Sequence, residues 1–211
     1  ISLVITQLYY TFFLVLLYTM TSKNTNKILL IIQRSNGDVL LSLSLIKALF
    51  EKFNQPQIDI LVNDDTILVA KIMPFINHIY TFSYIKKQSS RFKQEQNLIA
   101  SIFRKYDLSI NLTSSDRSVI YALLASKKSI SAVEKNHAKS WWKKYFLSLY
   151  YYFDSSKHIL LNNLEPLNLL NINHEKIQEP IKSSAETHSI VDSMLKKKGI
   201  NKYIIFHPSA Q

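Results

Sequence analysis

The sequence has no cysteine, only two glycines and few acidic residues. Without cysteine there is no disulfide, no thiolate nucleophile and no cysteine-ligated metal centre, which removes several enzyme classes. The six histidines show no HExxH or similar paired spacing, so we predict no metal held by the protein. The 15 Asp and Glu against 26 Lys and Arg give a formal charge of +11, which favours a negatively charged partner such as a phosphorylated glycan, an anionic lipid or nucleic acid.

The composition that remains is that of a folded chain. Its 211 residues are 47% hydrophobic and 19% charged, too apolar and too weakly charged for disorder. One large domain, or one domain and a fragment, is the natural organisation at this length.

The first twenty residues, ISLVITQLYYTFFLVLLYTM, are apolar enough to span a bilayer. However, no basic residue precedes this run, and Met20 is followed by the polar residues 21–26. We interpret Met20 as the true start and residues 1–19 as upstream sequence translated by mistake. The alternative is a membrane anchor.

From Lys27 onward, short apolar runs alternate with segments of helical period, which predicts an α/β fold with a Rossmann-like parallel sheet. The predicted strands are Lys27–Gln33, Ile58–Val62, His78–Phe82, Asp107–Leu112, Ser129–Val133 and Tyr203–Phe206. The predicted helices are Val39–Phe53, Thr66–Met73, Arg91–Tyr106, Ser115–Ser126, Ala138–Phe153 and a last one that starts at a Ser183–Glu186 capping box and is stopped by Gly199. His158–Ile172 is less regular, and we expect Pro166 to interrupt or restart a helix there.

One of the two glycines, Gly37, stands between the first strand and its helix, in the turn Arg34-Ser35-Asn36-Gly37-Asp38. Ligands of open α/β sheets bind at the carboxyl ends of strands, which is where this turn falls. Glycine there allows a positive φ and a close approach of ligand to backbone, and Asp38 would lie at the helix start. A tight turn with a capping aspartate explains the pattern equally well. Neither a dinucleotide fingerprint nor a P-loop follows the turn.

Several segments resemble, in order and spacing, the bacterial heptosyltransferases of glycosyltransferase family 9. They are ILLIIQRSNGDVLLSLSLIKALFEKF, IDILVNDD, PFINHIYTF, YDLSINLTSSDRSVIYALLAS, His158 before an aliphatic stretch, and YIIFHPSA. The resemblance covers about residues 27–210. It implies half of a GT-B enzyme, with an acceptor-side Rossmann-like domain at 27–182 and, at 183–211, a linker helix and the first strand of a truncated donor-binding domain.

The resemblance also implies roles for individual residues. Asp38 would be the catalytic base, and His207 and Ser209 would lie on the donor side, with Ser209 where the family's His-Pro-Gly-Ala has glycine. The acceptor would be bound by Arg34, Ser35, Asn36, Gly37 and Arg117. From its position alone, an exposed arginine at a helix start is the simpler interpretation of Arg117.

By the same resemblance, the enzyme would transfer heptose or a related sugar, with inversion, from a nucleotide-sugar such as ADP-heptose to an inner-core lipopolysaccharide acceptor of the lipid A/Kdo type. It would need no cofactor, bind no nucleic acid and work in the cytoplasm at the inner face of the membrane. The fragment alone would be inactive. The alternative is a non-catalytic, membrane-tethered α/β module that binds anionic lipid or glycan.

Two further patterns have simple structural explanations. Residues 135–146 mix cations with aromatics, as membrane, glycolipid or nucleic-acid contacts do, but we expect a helix with its aromatics packed inward and its lysines in water. Asn111-Leu112-Thr113 matches a glycosylation acceptor. Because it falls inside a predicted strand, we interpret it as chance.

Overall fold

The computed structural model describes residues 25–85, 88–135, 137–173 and 185–204. The chain divides into two compact units, residues 1–179 and residues 180–211. No helix within the described ranges is long and apolar enough to cross a membrane.

The first unit is built on one six-stranded sheet in which every neighbouring pair is parallel. Its strands are β1 (Lys27–Ile32), β2 (Gln57–Asn63), β3 (Ile76–Phe82), β4 (Leu108–Asn111), β5 (Ser129–Val133) and β6 (Leu149–Tyr152). Their spatial order is β3-β2-β1-β4-β5-β6, the order of a doubly wound Rossmann fold. The predicted fold class is therefore confirmed.

Helices cover both faces of this sheet. They are α1 (Asn36–Leu40), α2 (Leu43–Lys52), α3 (Ile67–Ile72), α4 (Gln88–Ile102), α5 (Asp116–Ala125), α6 (His137–Phe146) and α7 (Ile159–Leu169), with a 3-10 turn at Asp64–Thr66 before α3. Right-handed crossovers put α2 and α3 on one face and α4, α5 and α6 on the other. Helix α7 returns from β6 to pack against α2.

The core lies on both sides of the central strands. All five residues from Ile28 to Ile32 are fully buried, as expected of a parallel strand that is covered by helices on both faces. On the α4–α5 face, Leu29 and Ile31 pack with Leu98, Ile102 and Tyr121. The sheet is thus a rigid base that fixes where each strand ends.

Three predicted elements of the first unit differ most from the structure. The helix predicted at Val39–Phe53 begins at Asn36 and is broken into α1 and α2, because Ser42 Oγ donates 2.7 Å to Val39 C=O and competes with the helical backbone. The helix predicted at Ala138–Phe153 ends at Phe146, and β6 follows. Pro166 does not interrupt α7; it removes one backbone donor, and Leu170 N–H still donates to its carbonyl at 3.1 Å.

The second unit contains α8 (Ala185–Lys197). Gly199 ends the helix as predicted, at φ 66°, and Ile200 N–H donates to Leu195 C=O at 3.0 Å. Of the predicted capping box, Ser183 and Ser184 lie outside the described residues. Tyr203 and Ile204 form no strand, and the rest of the strand predicted to Phe206 also lies outside them.

Candidate functional site

The sheet has one topological switch point, between the adjacent strands β1 and β4, where the chain leaves toward opposite faces. Ligands of doubly wound folds bind in the crevice outside the carboxyl ends of such strands. The turn after β1 and the turn after β4 meet there, since Gln33 N–H donates to Thr113 Oγ1 at 3.0 Å. The Arg34–Asp38 turn is therefore at the position where this fold binds ligands.

Helix α1 begins within this turn. Ser35 is its N-cap, and its Oγ accepts from Asp38 N–H at 3.4 Å, while Val39 N–H donates to Ser35 C=O at 3.1 Å. Asn36, Gly37 and Asp38 form the first turn of α1 rather than a loop ahead of it. Ser35, Asn36 and Gly37 are exposed at the crevice, and Asp38 is half-buried.

Arg34 and Asp38 form an ion pair four residues apart. Arg34 Nε donates to Asp38 Oδ2 at 2.9 Å, and the two side chains are 25% and 19% exposed. The guanidinium carbon of Arg34 lies 4.5 Å from the centre of the Phe153 ring, in a cation–π arrangement. Within the described residues, the terminal nitrogens of Arg34 make no hydrogen bond, and the carboxylate is oriented by one oxygen only.

Residues of β6 and α7 lie behind the Arg34–Asp38 pair, and the sequence analysis did not identify them. Asn163 is buried, and its Nδ2 donates to Asp38 C=O at 3.3 Å. Tyr151 lies buried on β6 with no hydrogen-bond partner for its hydroxyl in the described structure. Burial raises the pKa of the Tyr151 phenol, and the nearby charge of Arg34 opposes that rise. The tyrosine run 150–152 was the available signal, because Leu149 and Tyr151 are buried and Tyr150 and Tyr152 exposed in strand alternation.

Gly37 is not in the left-handed region; of the two glycines, only Gly199 is. A Cβ placed on Gly37 would meet only Ser35 Oγ, at 4.0 Å, which is an ordinary contact. The positive φ considered for Gly37 is therefore wrong. The space above the Gly37 backbone is open.

A buried polar network shapes the turn after β4. Asn111 is fully buried, and its Nδ2 donates to Thr113 C=O at 2.6 Å and to Ser131 Oγ at 2.8 Å. Lys143 of α6 is also buried, and its Nζ donates 2.6 Å to Ser114 C=O. Asn111 is thus inaccessible to glycosylation, and its sequence match is chance as we expected.

Arg117 lies on the opposite face from Arg34. Its Nε is 3.2 Å from Glu95 Oε1, and its guanidinium carbon is 4.7 Å from the Phe82 ring centre and 5.3 Å from that of Tyr84. These contacts hold it against α4 and the end of β3. The structure brings Arg34 and Asp38 together, but it does not join Arg117 to them.

His207 and Ser209 lie outside the described residues. Across the described ranges, no group of three or more His, Asp or Glu side chains is arranged to hold a metal ion.

The basic aromatic segment differs from our expectation. Trp141, Tyr145 and Phe146 of α6 are 67%, 79% and 61% exposed, whereas Lys143 is buried. The expected helix with its aromatics inward and its lysines in water is therefore wrong for these residues. Lys143 turns inward because Ser114 C=O and Asp116 Oδ1, the latter 2.8 Å away, are available to its ammonium.

Comparison with solved structures identifies the fold. A glycosyltransferase family 9 structure from Veillonella parvula DSM 2008 superposes with a TM-score of 0.71 at 16% identity, over 85% of this chain and 51% of that one. The Escherichia coli heptosyltransferase WaaC with ADP-2-deoxy-2-fluoro heptose gives 0.59 at 14% identity, over 72% and 50%. The chain therefore has the α/β fold of one half of a GT-B glycosyltransferase.

Sequence comparison takes the identification one step further. Lipopolysaccharide heptosyltransferase 3 of Escherichia coli strain K12 is 27% identical over 186 residues, which are 84% of this chain and 52% of the relative. No protein-family model matches. The chain is homologous to the lipopolysaccharide heptosyltransferases of glycosyltransferase family 9, and it spans about half the length of the curated relative.

Proposed function

We propose that this chain is the acceptor-side part of a glycosyltransferase that moves heptose, or a related sugar, onto an inner-core lipopolysaccharide acceptor. The observation that carries the proposal is the Arg34–Asp38 pair, 2.9 Å apart at the switch point of a heptosyltransferase homologue. This position faces a ligand in doubly wound folds. In this pair, the Asp38 carboxylate can accept a proton and the Arg34 guanidinium can bind an anionic group of the substrate.

In this mechanism, Asp38 is the general base. The acceptor hydroxyl oxygen attacks the anomeric carbon of the activated sugar, forming the new C–O bond as the bond to the nucleoside diphosphate breaks from the opposite side. The hydroxyl proton passes to Asp38 Oδ1, and the diphosphate leaves with the bonding electrons. Attack opposite the leaving group inverts the anomeric centre. A carboxylate suits this step because the hydroxyl becomes strongly acidic as its bond to carbon forms.

Arg34 positions Asp38 and binds the acceptor. Its Nε holds Oδ2 at 2.9 Å, so the carboxylate rotates little and Oδ1 is the oxygen that receives the proton. Stacking on Phe153 at 4.5 Å fixes the plane of the guanidinium. Its terminal nitrogens then serve as a fork for a phosphate or carboxylate of the acceptor. Ser35, Asn36 and the open backbone at Gly37 line the same crevice.

The donor in this proposal is a nucleotide-sugar such as ADP-heptose. The bound ligand named for the E. coli WaaC structure is ADP-2-deoxy-2-fluoro heptose, which supports this choice of donor. The acceptor is a membrane glycolipid of the lipid A/Kdo type, so the enzyme would work in the cytoplasm against the inner face of the membrane.

The test is Asp38→Asn in the complete gene product, assayed for sugar transfer to an inner-core acceptor. We expect transfer to fall by about 10²-fold or more, since general bases contribute about 10²–10⁴, with acceptor binding largely retained. Glu51→Gln is the matched control, because Glu51 also pairs with a cation four residues away, Lys47, at 3.9 Å. Wild-type turnover by Asp38→Asn would contradict the role of Asp38 as general base. Acceptor binding without any transfer by the wild type would favour a non-catalytic module.

A further inference from the structure

We infer that the outer face of α6 and the adjoining amino-terminal edge of the sheet form a contact surface for an anionic phospholipid bilayer. This aromatic surface consists of Trp141, Tyr145, Phe146, Arg104, Lys127 and Lys144. The inference goes beyond the proposed function and does not depend on it, because this surface lies at the amino-terminal edge of the sheet, whereas the Arg34–Asp38 turn lies at the carboxyl ends of the strands.

Three exposed aromatic residues lie close together in the sequence of α6. Trp141 and Tyr145 lie four residues apart on one helix face, and the rings of Tyr145 and Phe146 meet edge to face with their centres 5.1 Å apart. All three are more than half exposed. Exposing neighbouring Trp, Tyr and Phe side chains to water costs free energy. Trp and Tyr rings are typical of the interfacial region of bilayers.

Cations adjoin these rings. Phe146 lines a cavity of about 480 Å³ together with Arg104 and Lys127. The Lys144 ammonium lies 5.0 Å from the ring centre of Tyr152 on the edge strand β6. Helices α4, α5 and α6 all end at this edge. The negative C-terminal ends of their dipoles explain why cations lie there. The dipoles do not explain why aromatic side chains are exposed at the same place.

Charge complementarity selects the occupant. Three of the six residues of the aromatic surface are cations. The carboxylate of Asp107, at the same edge, already accepts hydrogen bonds from the backbone N–H groups of Asn26 and Lys27, and the sequence as a whole has a formal charge of +11. Aromatic rings flanked by Lys and Arg fit the headgroup layer of an anionic leaflet, where rings insert below the phosphates and cations pair with them. A bilayer thus accounts for both sets of side chains.

Intrinsic fluorescence gives a direct readout, because Trp141 and Trp142 are the only tryptophans in the chain. Trp141 is exposed and Trp142 is half-buried. With vesicles of equal parts phosphatidylglycerol and phosphatidylcholine, we expect a blue shift of emission and protection from acrylamide, both weaker with phosphatidylcholine alone. Trp141→Phe should remove the shift while Trp142 still reports a folded chain. The apolar run 1–20 has no tryptophan, so insertion of that run by itself would leave the emission unchanged.

Vesicle sedimentation then tests the other members of the aromatic surface. Replacing Trp141, Tyr145 and Phe146 together with serine should weaken binding roughly tenfold or more. Lys127→Gln should weaken it about fivefold, and only on anionic vesicles. The matched control is Leu68→Ser with Ile72→Ser, which removes apolar side chains that are 72% and 52% exposed on the opposite face. This control should bind like the wild type.

Distinct outcomes separate the possible failures. Asp38→Asn should bind vesicles normally, so loss of transfer without loss of vesicle binding affects only the proposed function. Unchanged Trp141 emission on vesicles, or equal losses in the serine variant and its control, would overturn the bilayer surface. So would the same emission shift with single-stranded RNA instead of vesicles, or self-association of the chain that the serine variant abolishes.

Discussion

Among single residues, Gly37 is unusual because nothing in the described part of the structure requires glycine there. It lies in the first turn of α1 without a positive φ, and a Cβ would meet only Ser35 Oγ at 4.0 Å. Alanine is the better helix former, so Gly37→Ala should raise the free energy of unfolding by about 0.5–1 kcal/mol. If the acceptor approaches this backbone closely, the same methyl group should weaken acceptor binding.

Chemical denaturation and acceptor titration check both parts of this prediction. Gly199→Ala is the opposite control, because at φ 66° an added Cβ is strained and should destabilise α8. Acceptor binding that is unchanged by Gly37→Ala would mean that no ligand group lies over Gly37.

Two buried tyrosines differ in what their hydroxyls do. Tyr106 OH donates to Asp59 Oδ2 at 2.7 Å, whereas Tyr151 OH has no partner in the described structure. Removing the first hydroxyl leaves a buried carboxylate with one donor fewer, so Tyr106→Phe should cost about 1–3 kcal/mol. Tyr151→Phe removes an unsatisfied group and should leave stability unchanged or raise it. Urea unfolding of both variants measures the difference, and equal losses would contradict it.

At the scale of elements, α7 reaches back over a long sequence separation to hold α1. Asn162 and Asn163 are adjacent and equally buried, at 1% exposure, but they differ in what they bond. Asn162 makes local bonds to the backbone of Asp154 and Lys157, while Asn163 donates to the carbonyl of Asp38. Asn163 is therefore a positioning residue for the proposed base.

The two asparagines provide a matched pair of variants. Asn163→Ala should lower kcat for transfer by about 10- to 100-fold with little change in donor KM, because small displacements of a catalytic group are costly. Asn162→Ala should lower the melting temperature while kcat per folded molecule stays close to that of the wild type. A kcat loss shared equally by both variants would assign Asn163 a structural role only.

Much of the element order followed from the sequence, and the exceptions have physical causes. The strand predicted at Ser129–Val133 is found with the same bounds, because five consecutive buried residues between polar turns have few alternatives. The break between α1 and α2 depends on one side-chain hydrogen bond from Ser42, which no periodicity shows. Strand β6 was missed because its tyrosines and the preceding aromatic helix read as one segment, although its alternation is visible.

The candidate site was predictable only where its residues are local in sequence. The Arg34–Asp38 turn was found because it follows a buried strand and contains a rare glycine. Phe153, Tyr151 and Asn163 complete it from more than 110 residues away, and only the packing of β6 and α7 brings them there. Arg117 shows the converse, because a helix start at the correct strand end still projects to the opposite face of the sheet.

At the scale of the whole molecule, buried phenols link stability to alkaline pH. Burial raises the pKa values of Tyr106, Tyr121 and Tyr151, and hydrogen bonds to Asp59 and Tyr80 and to Glu95 add to the first two shifts. A free tyrosine loses its proton near pH 10, so above that pH the unfolded chain releases protons that the folded chain retains. The stabilising contribution is fully present below about pH 10 and is lost as pH rises beyond it.

We therefore expect the urea midpoint of the first unit to be nearly constant from about pH 7 to 9 and to fall steeply above about pH 10. Tyrosinate absorbance should rise in two stages, first for the exposed phenols among the 12 tyrosines and then for the buried ones together with unfolding. Tyr106→Phe should make the urea midpoint fall less steeply with pH above about pH 10, because the variant has one phenol fewer that releases its proton on unfolding. A single-stage titration that precedes unfolding would show that these phenols ionise within the folded chain and would remove the proposed linkage.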